Sequence, residues 1–210
     1  MKKYEPKAMV AISRYQNFFP TLPTDVQQDI YGRMNELLEE EKEYCDKGNY
    51  EHMAQILTSI AMYEVLQKRG KSEEEAYKLV SEEMWKFLDP SGMQKLSKKG
   101  FFMPLMKKIV PLGFSKKSGA GWRYTWHKDD PKDVFHFECN ECLYARILGR
   151  RGLLKLGAMC CHADIINYGE LHYTDFIRTK TICQGGDLCD FRFVRHDTDA
   201  GDGWTRTESI

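Results

Sequence analysis

The hydrophobic period of this chain changes once, and that change limits what the chain can fold into. Up to about residue 113 apolar residues recur every three or four positions, whereas beyond Gly121 they recur every second position. One helix face repeats with a period near 3.6 and one strand face with a period near 2, so the pattern predicts an α+β protein with its helices first. Val26, Ile30, Met34, Leu37 and Leu38 mark one helix. Met53, Ile56, Leu57, Ile60, Tyr63 and Leu66 mark a second that ends at Gly70. Ala76, Leu79, Val80, Met84, Phe87 and Leu88 mark a third, stopped by Asp89-Pro90 because the residue before proline is driven out of the helical region. Thr24 with Gln27, and Ser72 with Glu75, read as capping boxes. Glu39, Glu40, Glu41 and Glu43 read as a solvated face. Residues 91–113 read as one or two short helices broken near Gly100, carrying Lys95, Lys98, Lys99, Lys107 and Lys108, and Ser115 to Gly121 reads as a loop.

In the second part, Trp122, Tyr124 and Trp126 alternate with Arg123, Thr125 and His127. Val134, His136 and Glu138 alternate with Phe135, Phe137 and Cys139, the pattern of half-buried antiparallel strands. Helices are predicted near Glu141 to Leu148 and Leu153 to Asn167. Strands are predicted at Leu171 to Ile182 and Leu188 to Arg195, joined through Gln184-Gly185-Gly186-Asp187. The expected architecture is a helical part, 1–115, packed on a small antiparallel sheet with two helices, 116–196, and a disordered polar tail, 197–210. Lys and Arg number 31 against 31 Asp and Glu, which argues against a nucleic-acid binder working by bulk positive charge. Apolar runs such as Phe101 to Leu105 fall far short of the roughly 20 residues that span a bilayer, and the start lacks the apolar run of a leader. A soluble, cytoplasmic protein without membrane or nucleic-acid partners is expected. Its partner is a small-molecule substrate, and self-association into a homo-oligomer stays open.

Six of the seven cysteines lie from Cys139 onward. Cys139 and Cys142 form a CxxC, which invites zinc or redox chemistry. No second hook has zinc-site spacing, and a parallel βαβ context for a redox dithiol is missing, so no metal and no cofactor is expected. Most of these thiols read as small buried hydrophobes. Cys161, His162 and Asp164 differ, because a thiol, an imidazole and a carboxylate fall within one helical turn. A thiol is a nucleophile only as the thiolate, which a neighbouring base favours. Cys161 and Asp164 share a helix face, while His162 points away. Arg178, Thr181, Asp190 and Arg192 are polar residues on strands otherwise apolar on one side. Arg178 either grips a carboxylate through two parallel hydrogen bonds or pairs internally with Asp164 or Asp190.

At these residues the chain resembles the L-2-amino-thiazoline-4-carboxylic acid hydrolase family. The resemblance rests on Cys142-Leu143-Tyr144 before a helix, the C-x-x-D of Cys161 to Asp164, and the basic-Thr-x-Thr of Arg178, Thr179 and Thr181. Closing it are Gly185, Gly186, Cys189, Asp190 and Phe191, with FFMPLMKKIVPLGF and Gly121-Trp122 upstream. It covers roughly Phe101 to Val194. It implies hydrolytic opening of a cyclic amidine-like ring, with 2-aminothiazoline-4-carboxylate giving N-carbamoyl-cysteine. The chemistry of that reaction would make Cys161 the nucleophile, His162 or Asp164 an acid/base or amidine-holding group and Arg178 the carboxylate clamp. Thr181, Cys142 and Asp190 would complete the substrate site. The competing expectation is a non-catalytic sensor that binds a carboxylate ligand.

Overall fold

The computed structural model describes residues 4–197, so nearly all of the tail expected to be disordered lies outside the described residues. The fold is α+β, with eight helices and four strands among those residues. The chain divides into two compact units. One is built from the chain up to Leu88 together with Lys117–Ala120, the other from Asp89–Lys116 and the chain from Gly121 on.

The first unit holds α1 (Pro6–Val10), α2 (Thr24–Glu40), α3 (Tyr50–Lys68) and α4 (Glu73–Lys86). Helix α3 is apolar on nearly every side and packs against each of the other three, as an all-round hydrophobic helix must. Its few buried polar side chains are satisfied locally. Thr58 Oγ1 donates to Ala54 O at 2.7 Å and Ser59 Oγ to Gln55 O at 2.8 Å, while Gln55 Oε1 accepts from Arg14 N at 3.0 Å. Buried Asn49 accepts from Gly119 N and donates to Ala120 O, each at 2.9 Å, which brings Lys117–Ala120 into this unit. Gly70, with φ +95°, ends α3 in the left-handed region as its position requires.

Two expectations for this unit need correction. The box at Thr24 does not form: Pro23 occupies the cap position, and Gln27 Nε2 donates instead to Leu22 O at 2.7 Å. Glu41 is buried at 2% exposure rather than solvated, because α2 ends there and the chain turns inward. The box at Ser72 does form, with Glu75 N donating to Ser72 Oγ at 3.2 Å and Ser72 N to Glu75 Oε2 at 2.8 Å.

The second unit holds α5 (Ser91–Ser97), α6 (Phe102–Lys117, but for its last residue), β1 (Arg123–Trp126), β2 (Val134–Glu141), α7 (Leu143–Gly149), α8 (Leu154–Tyr168), β3 (Thr174–Ile177) and β4 (Cys189–Arg195). The loop expected from Ser115 begins only after Lys117. Phe114 holds the last turns of α6 onto the sheet, with its ring 4.9 Å from that of Tyr124 and 5.5 Å from that of Phe137. The sheet is antiparallel in the order β1-β2-β4-β3, so the chain leaves β2 through α7 and α8 and β4 returns between β2 and β3.

Register decides which side chains share a face. Trp126 pairs with Phe137, Phe137 with Phe191, Phe135 with Phe193 and Phe193 with Phe176, so these aromatics line one face. Phe102, Met103 and Met106 of α6 and Leu171 pack on it, with Tyr168 of α8 beside them. Cys139 and Cys189 pair at the end of this aromatic face, and Arg178 follows Phe176 by two residues. The opposite face carries Thr125, His136, Glu138, Asp190 and Arg192.

Strands β3 and β4 are neighbours, yet β3 is shorter than expected and the connection is more than a tight hairpin. Thr179 N and Lys180 N donate to Asp190 Oδ1, both at 2.9 Å, and Thr179 Oγ1 to Asp190 Oδ2 at 2.6 Å. The carboxylate takes the place of ladder acceptors there. A 3-10 turn at Ile182–Gln184 then leads to Gly185 at φ +90°. The cap difference in the first unit makes a quantitative expectation: Ser72→Ala lowers unfolding free energy in urea by about 1 kcal/mol, while Thr24→Ala changes it much less. Equal losses at both positions would contradict the assignment.

Candidate active site

Among the described residues Arg178 is the largest fully buried side chain, and it is the anchor of this region. It continues the inward alternation of Thr174 and Phe176, so the register that buries two ordinary strand residues also buries a guanidinium. Its Nη1 donates to Cys161 O and to Asp164 Oδ2, both at 2.9 Å, which ties the sheet to α8. The guanidinium carbon sits 5.8 Å from the ring centre of Phe176 and 5.9 Å from that of Phe191. Nε and Nη2 are buried and have no hydrogen-bond partner. These two N–H groups point the same way and form the side-on edge of the guanidinium, the edge that takes a carboxylate by two parallel bonds. Leaving a buried donor unmade costs about 1–3 kcal/mol, more for a charged group.

Five thiols neighbour one another in the order Cys189, Cys139, Cys142, Cys183 and Cys161, the last of them within the influence of the Arg178 charge. All are free. Among the described residues no three of these sulfurs lie within 4.8 Å of one another, so they form a line rather than a closed metal cage. The protons are unevenly held along it. Cys139 and Cys183 are pushed up, first by their neighbour Cys142, and Cys139 Sγ donates to Glu141 O at 3.1 Å. Cys142 is held well below the ordinary thiol value by its neighbours Cys139 and Cys183, against burial. Cys161 is lowered first by its neighbour Cys183, then by Thr181 and by the charge of Arg178, against burial and the Asp164 carboxylate. Thiolate character therefore collects on Cys142 and Cys161, which are also the two members of the line that are not fully buried.

The structure brings Cys161, Asp164, Arg178, Thr181 and Cys142 together around this line. Buried Thr181 donates to Gln184 Oε1 at 2.6 Å and faces Cys161. His162 is held below its usual value, first by burial and then by the Arg178 charge, so it is a neutral imidazole near pH 7. Cys183, Asp164, Thr181 and Arg178 act on Cys161. Asp190 is used within the chain, on Thr179 and Lys180, rather than turned toward this site. Sequence reasoning left Cys183 among the inert thiols, although it is the link between Cys142 and Cys161. Gly157 was its signal: a Cβ there would overlap Cys183 Sγ, so the glycine inside α8 lets the 3-10 turn approach.

Comparison with family models matches residues 49–193, more than half of the chain, to L-2-amino-thiazoline-4-carboxylic acid hydrolase. The chain belongs to that family. The matched span starts at Asn49, earlier than the resemblance near Phe101, and takes in α3 and α4 as well as the whole thiol line of this hydrolase-family member. No curated protein and no solved structure matches it.

Alkylation kinetics check the proton distribution. Iodoacetamide near pH 7 should modify Cys142 and Cys161 before Cys139, Cys183 and Cys189, since only an accessible thiolate reacts. Because their values are depressed, their rates should level off at lower pH than those of the same cysteines in denatured protein, whose thiols titrate near about 8.5. Faster labelling of Cys139 or Cys183, read by peptide mass spectrometry, would contradict this account.

Proposed function

We propose that this protein hydrolyses a small cyclic amidine that carries a carboxylate, of the 2-aminothiazoline-4-carboxylate kind. The observation that supports this most is the unpartnered Nε/Nη2 edge of buried Arg178, a charged fork that lacks the anion its geometry suits. Asp164 occupies the other side of the guanidinium and keeps the fork turned toward the substrate. In this reading Asp164 is a positioning residue.

Cys161 is the nucleophile. Its thiolate adds to the ring carbon between sulfur and nitrogen, the ring C–S bond breaks, and the departing sulfur takes a proton from the amidinium nitrogens. An S-linked isothiourea remains on Cys161. Water then adds to the same carbon with neutral His162 as the base, the Cys161 sulfur leaves and regains that proton, and N-carbamoyl-cysteine results. The charge of Arg178 favours the Cys161 thiolate between these steps, and Cys183 lies between Cys161 and Cys142. Family membership supports the hydrolase class, and the thiol line supports a cysteine-based version of it.

The test is incubation of purified protein with L-2-aminothiazoline-4-carboxylate and related cyclic amidines while following release of a free thiol. Wild type should turn over and Cys161→Ala should not. Arg178→Lys should raise KM about 10- to 100-fold, the loss expected for a hydrogen bond to a charged group worth about 1.5–3 kcal/mol. The ring lacking its carboxylate should be insensitive to that substitution. Saturable binding without turnover by wild type would favour the sensor, and full activity of Cys161→Ala would leave a water activated by His162 or Asp164 as the nucleophile.

A further inference from the structure

Residues 91–117 carry seven lysines and no aspartate or glutamate, although the whole chain is neutral. Three of these lysines are engaged within the protein. Lys107 Nζ donates to Asp130 O at 3.3 Å and to Pro131 O at 2.6 Å, Lys117 pairs with Glu51 at 2.8 Å, and Lys95 is close enough to Asp89 for the two charges to interact. The other four, Lys98, Lys99, Lys108 and Lys116, are exposed, and their side chains make no ion pair or hydrogen bond among the described residues. An uncompensated cluster of one sign attracts a partner of the other.

Helix α6 is apolar on two sides. Phe102, Met103 and Met106 are buried on the aromatic face of the sheet, which is the ordinary role of such a helix. Phe101, at its start, and Leu105, Ile109 and Leu112 follow at spacings of four, four and three, so they form a second stripe turned away from the buried one. Phe101, Ile109 and Leu112 are 56%, 52% and 55% exposed, and they make up half of the six exposed large hydrophobic side chains among the described residues. The stripe runs for about 16 Å at the rise of an α-helix. Lys108 and Lys116 stand on the same side of the helix, one turn from Leu112 in either direction, and Lys98 and Lys99 immediately precede Phe101.

We propose that the outer stripe of α6 docks the protein onto an anionic lipid surface. Phe101, Ile109 and Leu112 enter the boundary between headgroups and acyl chains, and the four unpaired lysines reach the lipid phosphates, since their flexible stems let the charge stay at the headgroups while the apolar side chains go deeper. The charges of the two surfaces are complementary, and each lysine near such a surface adds to the attraction. The shape agrees as well. A single helix on a sheet is a convex ridge, which a deformable bilayer surface accommodates without a matching groove. A symmetric contact with a second copy of the chain would instead set these lysines against their own counterparts. No helix of the described residues is long and apolar enough to cross a membrane, so the contact is peripheral. The inner face of α6 remains on the sheet throughout, so docking requires no unfolding. This inference is independent of the reaction proposed for Cys161.

Co-sedimentation of the full-length protein with vesicles tests this. Wild type should bind vesicles of mixed phosphatidylglycerol and phosphatidylcholine and leave vesicles of phosphatidylcholine alone in solution. Raising salt from about 0.1 M to 1 M, which shortens the screening length from about 10 to 3 Å, should release most of it. Lys108→Gln and Lys116→Gln should each weaken binding about fivefold, and Ile109→Ser with Leu112→Ser at least about tenfold, all with unchanged far-UV circular dichroism. Lys78→Gln, on exposed α4, should bind as wild type does. Should a variant fail to fold, lysine acetylation of wild type replaces it: mixed vesicles should protect Lys98, Lys99, Lys108 and Lys116 ahead of Lys78, read by peptide mass spectrometry. Absence of binding to the anionic vesicles would overturn the proposal, as would equal binding to both kinds or equal protection of Lys78. Wild-type self-association abolished by Leu112→Ser, without vesicle binding, would assign the stripe to a second copy instead.

Discussion

A guanidinium buried against one carboxylate and one carbonyl organises the second unit. Arg178 could reach its place only because the strand alternation that buries Thr174 and Phe176 continues past the end of β3. Once there, it needs α8 next to it, since Cys161 O and Asp164 supply its two acceptors. Removing either would leave a buried charge further short of partners, an effect commonly worth several kcal/mol. The same contact fixes Cys161 relative to the sheet, so what stabilises the cation also positions the thiol. The fork it leaves unpaired costs stability.

The thiol line extends that arrangement toward β2 and β4. Its shape depends on small features of the backbone: pairing of Cys139 with Cys189 in the ladder, Cys142 at the start of α7, and Gly157 admitting Cys183 against α8. The nearness of the thiols to one another lowers Cys142 and Cys161 and raises Cys139 and Cys183, a separation that isolated cysteines in an apolar core would not show. Asp190 supports the same end of the sheet from its other face, by taking the amides that follow Arg178.

Much of this was legible in the sequence where a local period or cap decides the outcome. The helices of the first unit follow their apolar spacing, and the Ser72–Glu75 box forms as its residues require. Thr24 carried the same motif without forming it because Pro23 already occupied the cap, and proline at that position is a local feature that composition alone does not weigh. Cys161, Asp164 and Arg178 could be paired from helix and strand spacing. The sequence left open whether Arg178 binds inside the protein or outside it, and the structure has it doing one with Nη1 while Nε and Nη2 stay unpaired. The place of Cys183 was not legible, since its meeting with Cys142 and Cys161 depends on a 3-10 turn, which leaves no short motif.

The unpaired fork can be observed directly through its own N–H. In a ¹⁵N–¹H spectrum the Arg178 Nε–H signal, assigned by its loss in Arg178→Lys, should move and exchange more slowly with water on titration with L-2-aminothiazoline-4-carboxylate, while the ring lacking the carboxylate leaves it unmoved. An Arg178 Nε–H signal unchanged at saturating substrate, with the shifts centred on other arginines, would contradict the account.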